Sequence, residues 1–353
     1  TTARYTGPAV STNLPFAMIL NPPNPSLRWE RVRVINGGID FASTGNRISG
    51  SVEYYYKNGF DLIGEAPYAP ATGISSFKGN TANTAGKGID FTVNTINIKG
   101  SFSWQTTALF SFINDKVSKY LLKSPTISYQ VPVVGKPIQA VYAFPWAGLD
   151  PQNGDPQGYL NGALSKDYGS LLLNANEENM VYMGSLRPRY FGALRNTFSY
   201  AGFELSANIS YRLGYVFRRN SIRYTSTTSG VIDNGLSSGN GDYGLRWQKP
   251  GDELLTNVPS LSATSTIDRD NFYANSAALV EKADHIRFED VTLSYATKGI
   301  KGLKKPFNTL TIYLNARDLG VLWKKTKTNL DPDYATSAYT PVKTLAAGIK
   351  MNL

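Results

Sequence analysis

The residue types that could do chemistry are unevenly supplied in this chain. Cysteine is absent and histidine occurs once, at His285. Thiol nucleophiles, thiolate metal sites and a disulfide framework are therefore excluded, and so is a multi-histidine metal site. A lone histidine with no nucleophile in any motif reads as a structural or surface residue, not a general base. Asp150, Asn153 and Asp155 offer hard oxygen ligands, but their spacing is not that of a calcium loop, and Pro151 and Pro156 point to turns. Gly79 to Lys87 fails as a phosphate loop, because the glycines are too far apart and Gly88 stands where Ser or Thr would be needed. The chain does not read as an enzyme, and no cofactor or metal is expected. What remains is binding chemistry. Tyr142, Phe144, Trp146 and Tyr159 fall in one long segment; Arg218, Arg219, Arg223, Tyr224, Tyr243, Arg246 and Trp247 fall in another. Aromatic faces and arginine forks can hold sugars, peptide backbone or carboxylates. For Trp146 and for Arg246-Trp247 the competing expectation is that they fold the loops onto one another, since loop packing also needs aromatic anchors.

The elements that must position these residues are long strands. From Phe203 to Phe217 every second residue is apolar or aromatic, while Glu204, Ser206, Asn208, Ser210 and Arg212 lie between. Strand side chains alternate between two faces, so one face is oily and the other wet. Ordinary strands run roughly five or six residues, whereas a tilted strand crossing a bilayer needs about nine to eleven. The same alternation recurs around Phe102–Phe112, Leu310–Ala316 and Leu345–Leu353. Nine strands are expected, at 28–44, 46–63, 86–98, 100–115, 192–201, 203–217, 285–298, 308–319 and 343–353. The apolar phase jumps after Phe288, which predicts a bulge there.

The connections are asymmetric. Tight turns fall at Thr44-Gly45-Asn46, Lys99-Gly100 and Ala201-Gly202, with another near Gly302, whereas 64–85, 116–191, 218–284 and 320–342 read as long loops. Short turns at one rim and long loops at the other are the pattern of outer-membrane barrels. No run of eighteen or more apolar residues exists, so no transmembrane helix is expected; barrels leave only a weak hydropathy signal in any case. Twenty-two tyrosines and five tryptophans suit aromatic girdles at two membrane interfaces. The net charge is +10, but the cations form no dense arm or stripe, so nucleic acid is not an expected partner. Thr1 to Leu20 lacks the basic start and apolar core of a signal peptide, which suggests a mature product or a fragment. An odd strand total also suggests part of a barrel, with further strands upstream.

Several blocks carry a family resemblance. Asn24-Pro25-Ser26-Leu27-Arg28-Trp29-Glu30, Gly38-Ile39-Asp40-Phe41 and Ser51-Val52-Glu53-Tyr54-Tyr55-Tyr56-Lys57 come first, followed by Lys87-Gly88-Ile89-Asp90-Phe91. Next come Trp146-Ala147-Gly148-Leu149-Asp150 with Asn153-Gly154-Asp155-Pro156, then Arg187-Pro188-Arg189-Tyr190-Phe191-Gly192 with Asn196-Thr197-Phe198-Ser199-Tyr200. Arg246-Trp247-Gln248-Lys249-Pro250-Gly251-Asp252-Glu253 and Leu330-Asp331-Pro332-Asp333-Tyr334 close the series. In type and order these resemble the C-terminal part of SusC/RagA-type TonB-dependent outer-membrane transporters. The resemblance implies an all-β transmembrane antiparallel barrel of about 22 strands, with residues 1–353 supplying the last nine. It implies TonB acting through a plug upstream, a SusD/RagB-like lipoprotein lid, contact with outer-membrane lipid, and import of oligopeptides or glycans. Tyr142, Trp146, Arg218, Arg219, Arg223, Tyr243, Arg246 and Trp247 become candidates for solute binding or lid docking. The basic charge leans toward peptide cargo. A soluble β-rich carbohydrate-binding module is the alternative, and it requires the oily strand faces to be buried in a sandwich core.

Overall fold

A computed structural model describes residues 2–8, 12–67, 76–121, 132–225, 241–261, 266–298, 309–335 and 339–352. Nine strands form one sheet: β1 (Arg31–Ala42), β2 (Ile48–Pro67), β3 (Ser76–Ile98), β4 (Phe102–Tyr120), β5 (Tyr190–Tyr200), β6 (Phe203–Leu213), β7 (His285–Lys298), β8 (Thr309–Lys324) and β9 (Thr344–Asn352). Each pairs antiparallel with its neighbours in sequence, so the sheet is an uninterrupted meander with β1 and β9 at its edges. A separate hairpin, Thr2–Pro8 with Pro15–Asn21, precedes it.

Cross-strand register turns the sequence alternation into a two-faced wall. Phe110, Gly192, Tyr211, Ile286 and Trp323 line up across β4–β8, and Leu205, Leu293, Leu314 and Ala347 line up lower down. Much of this face stays exposed: Phe203 is 52%, Leu293 44% and Leu314 49% accessible. Among the described residues no second sheet covers it, and lipid is the medium in which such a face is stable. Aromatic pairs mark both margins of the oily band. Phe203 meets Tyr295 at 4.6 Å and Trp104 meets Phe198 at 5.8 Å near the tight turns, and Phe112 meets Tyr190 at 5.1 Å near the other rim. At about 3.3 Å per residue and a ~40° tilt, the eleven residues of β6 span roughly 25 Å of membrane height, the depth of an apolar barrel band.

The opposite face is polar and cross-linked. Arg195 forks onto Asp290 with both guanidinium nitrogens, at 3.1 and 3.0 Å, and Asn208 donates to the same carboxylate at 3.1 Å. Ser111 donates to Asp90 at 2.6 Å and Thr107 to Asn94 at 2.8 Å. These bonds join neighbouring strands side to side, the Arg195 fork reaching across β6 to β7, and leave the lumen face hydrophilic.

Three details differ from the sequence expectation. Strands β2 and β3 run on through most of the loop expected at 64–85, pairing from Leu62↔Ala82 to Pro67↔Ser76. A hairpin that projects into water needs no oily face, so hydrophobic periodicity does not report it. The strand expected to reach Phe217 ends at Leu213: Gly214 takes φ +78°, and Val216–Arg218 pairs instead with Val280–Lys282. The third is a lengthening: β4 extends to Tyr120, past the end expected at 115, and β8 extends to Lys324. The expected bulge is present, with the register of β7 shifting between Phe288 and Asp290 against β8. The turn near Gly302 lies outside the described residues.

Candidate functional site: the extracellular cap

The long connections converge above one rim of the wall and build a cap with its own core. Residues 132–189 contribute Tyr142, Phe144, Leu171 and Met180, which pack with Phe272. Residues 214–284 contribute a second cluster of Ile222, Tyr224, Val258, Tyr273 and Leu279. Two short helices, α1 (Tyr168–Leu173) and α2 (Ile267–Ala274), lie within these segments; α2, N-capped by Thr266 accepting from the Arg269 N–H, sends the adjacent Phe272 and Tyr273 into different clusters. Trp146 packs against both, with its ring 5.9 Å from Tyr273. Main-chain bonds seal the junction: the Phe144 N–H donates to Asn275 O at 3.0 Å, and the Ala277 N–H donates to Phe144 O at 2.9 Å.

Each candidate side chain has a defined place in this cap. Tyr142 is 1% exposed, and burial, with Glu177 and Tyr182 nearby, pushes its hydroxyl up to about 12. Arg218 is a three-way staple, donating to Tyr142 O at 2.6 Å and to Ala274 O and Asn275 Oδ1 at 3.1 Å. Arg219 pairs with Asp242 and, at 3.3 Å, with Glu281. Arg246 lays its guanidinium 4.1 Å from the Tyr243 ring. Trp247 is 8% exposed and donates from Nε1 to Glu253 at 3.1 Å. Its indole covers Gly154, where φ is +70° and a Cβ would come within 2.4 Å of the ring. Two of the sequence blocks therefore meet face to face, and only glycine fits between them. Arg223 stands apart, exposed to solvent. The structure thus brings Tyr142, Trp146 and Arg218 into one junction and Tyr243, Arg246 and Trp247 into a neighbouring one. Trp146 and Trp247 make the loop-to-loop contacts that were the competing expectation, whereas Arg246 is held against Tyr243 within its own loop.

The acidic residues near Asp150 are committed to cations: Lys166 lies 2.5 Å from Asp150, and Arg269 donates to Asp155 at 2.8 Å. The backbone there forms turns, with Asp150 and Asp155 bonded N–H to carbonyl at 2.8 Å.

A second feature escapes sequence reading. His285, fully buried at the head of β7, faces Ala283 O from Nδ1 at 2.9 Å and Asp333 from Nε2 at 3.1 Å. The Tyr215 hydroxyl also lies 3.2 Å from Nδ1, so polar groups hold the ring at both nitrogens. Arg212 reaches the same carboxylate at 2.5 Å and Tyr215 donates to it at 3.2 Å. Burial works against ionisation of Asp333, but the bonds from His285 and Arg212 hold its carboxyl well below the usual carboxylate range. Arg287 clamps Asp331 at 2.5 Å and lies 5.6 Å from the Tyr334 ring. The Asp331-to-Tyr334 block is thus pinned to the tops of β6 and β7. A cleft of about 620 Å3 opens beside it, with Arg212, Tyr215, Arg218 and Asp333 among its walls. The signal for this latch was available: Arg212 and Arg287 occupy the polar phase exactly where their strands leave the oily band.

Wall and cap together define a section of an outer-membrane β-barrel with an elaborated extracellular face. No family model matches the chain. A TonB-dependent receptor of Formosa agariphila, P26, is 22% identical over 352 residues, covering 93% of this chain and 33% of the relative. The TonB-dependent receptor SusC of Bacteroides thetaiotaomicron is 23% identical over 251 residues, covering 62% of this chain and 24% of that protein. The solved structure of the RagAB peptide transporter superposes with a TM-score of 0.71 at 19% identity, covering 99% of this chain and 38% of that one. The chain is thus similar in sequence to TonB-dependent receptors, SusC among them, and shares the fold of the matching part of the RagAB transporter. It spans about a third or less of the length of the curated relatives it matches.

Proposed function

We propose that residues 1–353 form the C-terminal barrel wall and extracellular cap of a TonB-dependent importer for nutrients too large for porins. The observation that carries this reading is the pairing of a nine-stranded wall with a packed cap built from three long connections at one rim. A passive pore has no need of so large a cap, whereas an importer must capture solute before energy is delivered through a plug. The oily faces of β4 and β6 are exposed, which counts against the soluble carbohydrate-binding module, since that reading needs them in a core.

A SusD/RagB-like lipoprotein is the proposed lid. The cap supplies apolar side chains that its own core leaves out: Leu254 and Leu255 are each 85% exposed beside Trp247, and Leu245 is 63% exposed. A cluster of this kind on an otherwise well-packed cap suits a partner surface. Among the candidate residues, the buried Tyr142 and Trp247 and the engaged Arg218 and Arg219 act by shaping this surface and the cleft. Arg223 and the Tyr243–Arg246 pair are the proposed direct contacts.

The cargo we favour is oligopeptide over glycan. The basic chain and the exposed Arg223 support it, and RagAB is a peptide transporter of the same fold. The test is retention of peptide and oligosaccharide pools by the intact receptor–lipoprotein complex. Peptide enrichment is expected, and selective glycan retention overturns the assignment. Leu254→Glu with Leu255→Glu should reduce recovery of the lipoprotein with the receptor; unchanged recovery removes these leucines from the interface.

A further inference from the structure

The lipid face of the wall gathers its cations at one margin. Arg33, Asn58, Ala85 and Lys116 form one cross-strand row on β1–β4, and Ile35, Tyr56, Lys87 and Asn114 form the next row toward the membrane. Arg33, Lys87 and Lys116 share the phase of Phe41, Tyr54, Ile89 and Phe112, so they project outward with the oily side chains. The carboxylates beside them take the other phase: Asp40, Glu53, Asp90 and Asp115 lie on the lumen side. Arg28 and Arg31 share the carboxylate of Asp61, at 3.1 and 2.8 Å. Arg33, Lys87 and Lys116 are exposed and form no ion pair with a described residue.

Their height is set by the strands. Above the turn-side ends of β1, β3 and β4, Arg33 lies roughly 23 Å, Lys87 roughly 28 Å and Lys116 roughly 35 Å up, at about 3.3 Å per residue and a ~40° tilt, at the far margin of the apolar band and just beyond it. Tyr56 stands in the Lys87 row and Tyr54 in the row below it, as interfacial tyrosines do. A cation held outward at that depth meets lipid headgroups first. The guanidinium fork and the ammonium groups both match phosphate oxygens. We propose that Arg33, Lys87 and Lys116 form a binding site for the phosphate groups of lipids in the outer leaflet, fixing this sector of the wall to an anionic headgroup.

The test uses the intact receptor in lipid nanodiscs, with bound lipid counted by native mass spectrometry and with lipid A and its dephosphorylated form as probes. The unsubstituted receptor should retain lipid A and discriminate against the dephosphorylated form. The variant Arg33→Gln/Lys87→Gln/Lys116→Gln should lose on the order of 100-fold in retention, at about fivefold per cation near the surface. Lys57→Gln removes a cation from the lumen phase of β2 and should retain lipid A as the parent does. Heat-modifiable migration on gels reports that each barrel is folded. Free inorganic phosphate should not displace the lipid; displacement would show a site for soluble anions instead. Equal retention by parent and triple variant, or equal retention of the dephosphorylated lipid, overturns the proposal. Solute uptake should be unaltered in the triple variant, because its three side chains face away from the lumen.

Discussion

Phe203 and Phe272 show how one chain uses the same side chain in two solvents. On β6, Phe203 is 52% exposed and stacks on Tyr295 beside the membrane interface. In the cap, Phe272 is wholly buried, with Phe144 and Tyr168 rings 5.4 and 5.7 Å away. The wall stores its apolar surface outward, where lipid takes it, and ties its polar face together with cross-strand bonds. The cap, standing in water, buries its apolar residues and anchors them with arginine staples. The two regimes meet at Gly214. The alternation that begins at Phe203 continues through Tyr215 and Phe217, but those two are 7% and 5% exposed and belong to the cap.

Substitutions should separate the two regimes. The largest effect is expected for Phe272→Ala, which opens a cavity at the junction of α2 with the loops and should cost the cap about 3–5 kcal/mol. Hydrogen exchange should accelerate across 132–189 and 214–284 while the strands of the wall stay protected. In the wall, Ile209→Lys places a charge on the lipid face near mid-membrane and should cost roughly 2–4 kcal/mol, measured by denaturant unfolding from vesicles. Ala193→Lys, on the lumen phase of the neighbouring strand, should cost much less. If both lysines cost the same, the assignment of faces fails.

A smaller effect is expected from Arg218→Lys. The charge survives and the ammonium can keep one of the three bonds to Tyr142 O, Ala274 O and Asn275, so about 2 kcal/mol of cap stability should go, at ~1 kcal/mol for each of the two lost. The smallest effect concerns the latch. The Asp333 carboxyl is depressed in the folded state, so its contribution is fully present above the unfolded carboxylate value near 4 and lost as pH falls through the folded one. Docking of 325–335, followed by protease protection, should hold at neutral pH and weaken only under strong acid. Asp333→Asn should abolish that acid dependence.

Much of the wall was legible in the sequence because lipid imposes a strict rule on every second residue. That rule placed all nine strands, the bulge after Phe288 and the side on which the long connections gather. It failed where the rule does not apply. The β2–β3 hairpin beyond Leu62 stands in water with no oily face, so it read as loop. The cap's aromatic and arginine residues were recognisable by type, but whether Trp146 or Trp247 faces solute or neighbour depends on contacts between segments far apart in the chain. His285 read as an ordinary lone histidine, because its partner Asp333 lies 48 positions away.

The most direct measurement is a site-directed spin-label scan of the strand and its continuation in the intact receptor within a bilayer. Single substitutions such as Leu205→Cys, Ile209→Cys, Leu213→Cys, Tyr215→Cys and Phe217→Cys would be scored for collision with oxygen, which partitions into lipid, and with a water-soluble nickel chelate. The account predicts oxygen access at the odd positions up to Leu213, chelate access at the even ones, and neither at Tyr215 and Phe217. Oxygen access persisting through Phe217, or a face pattern without alternation below Gly214, would contradict it.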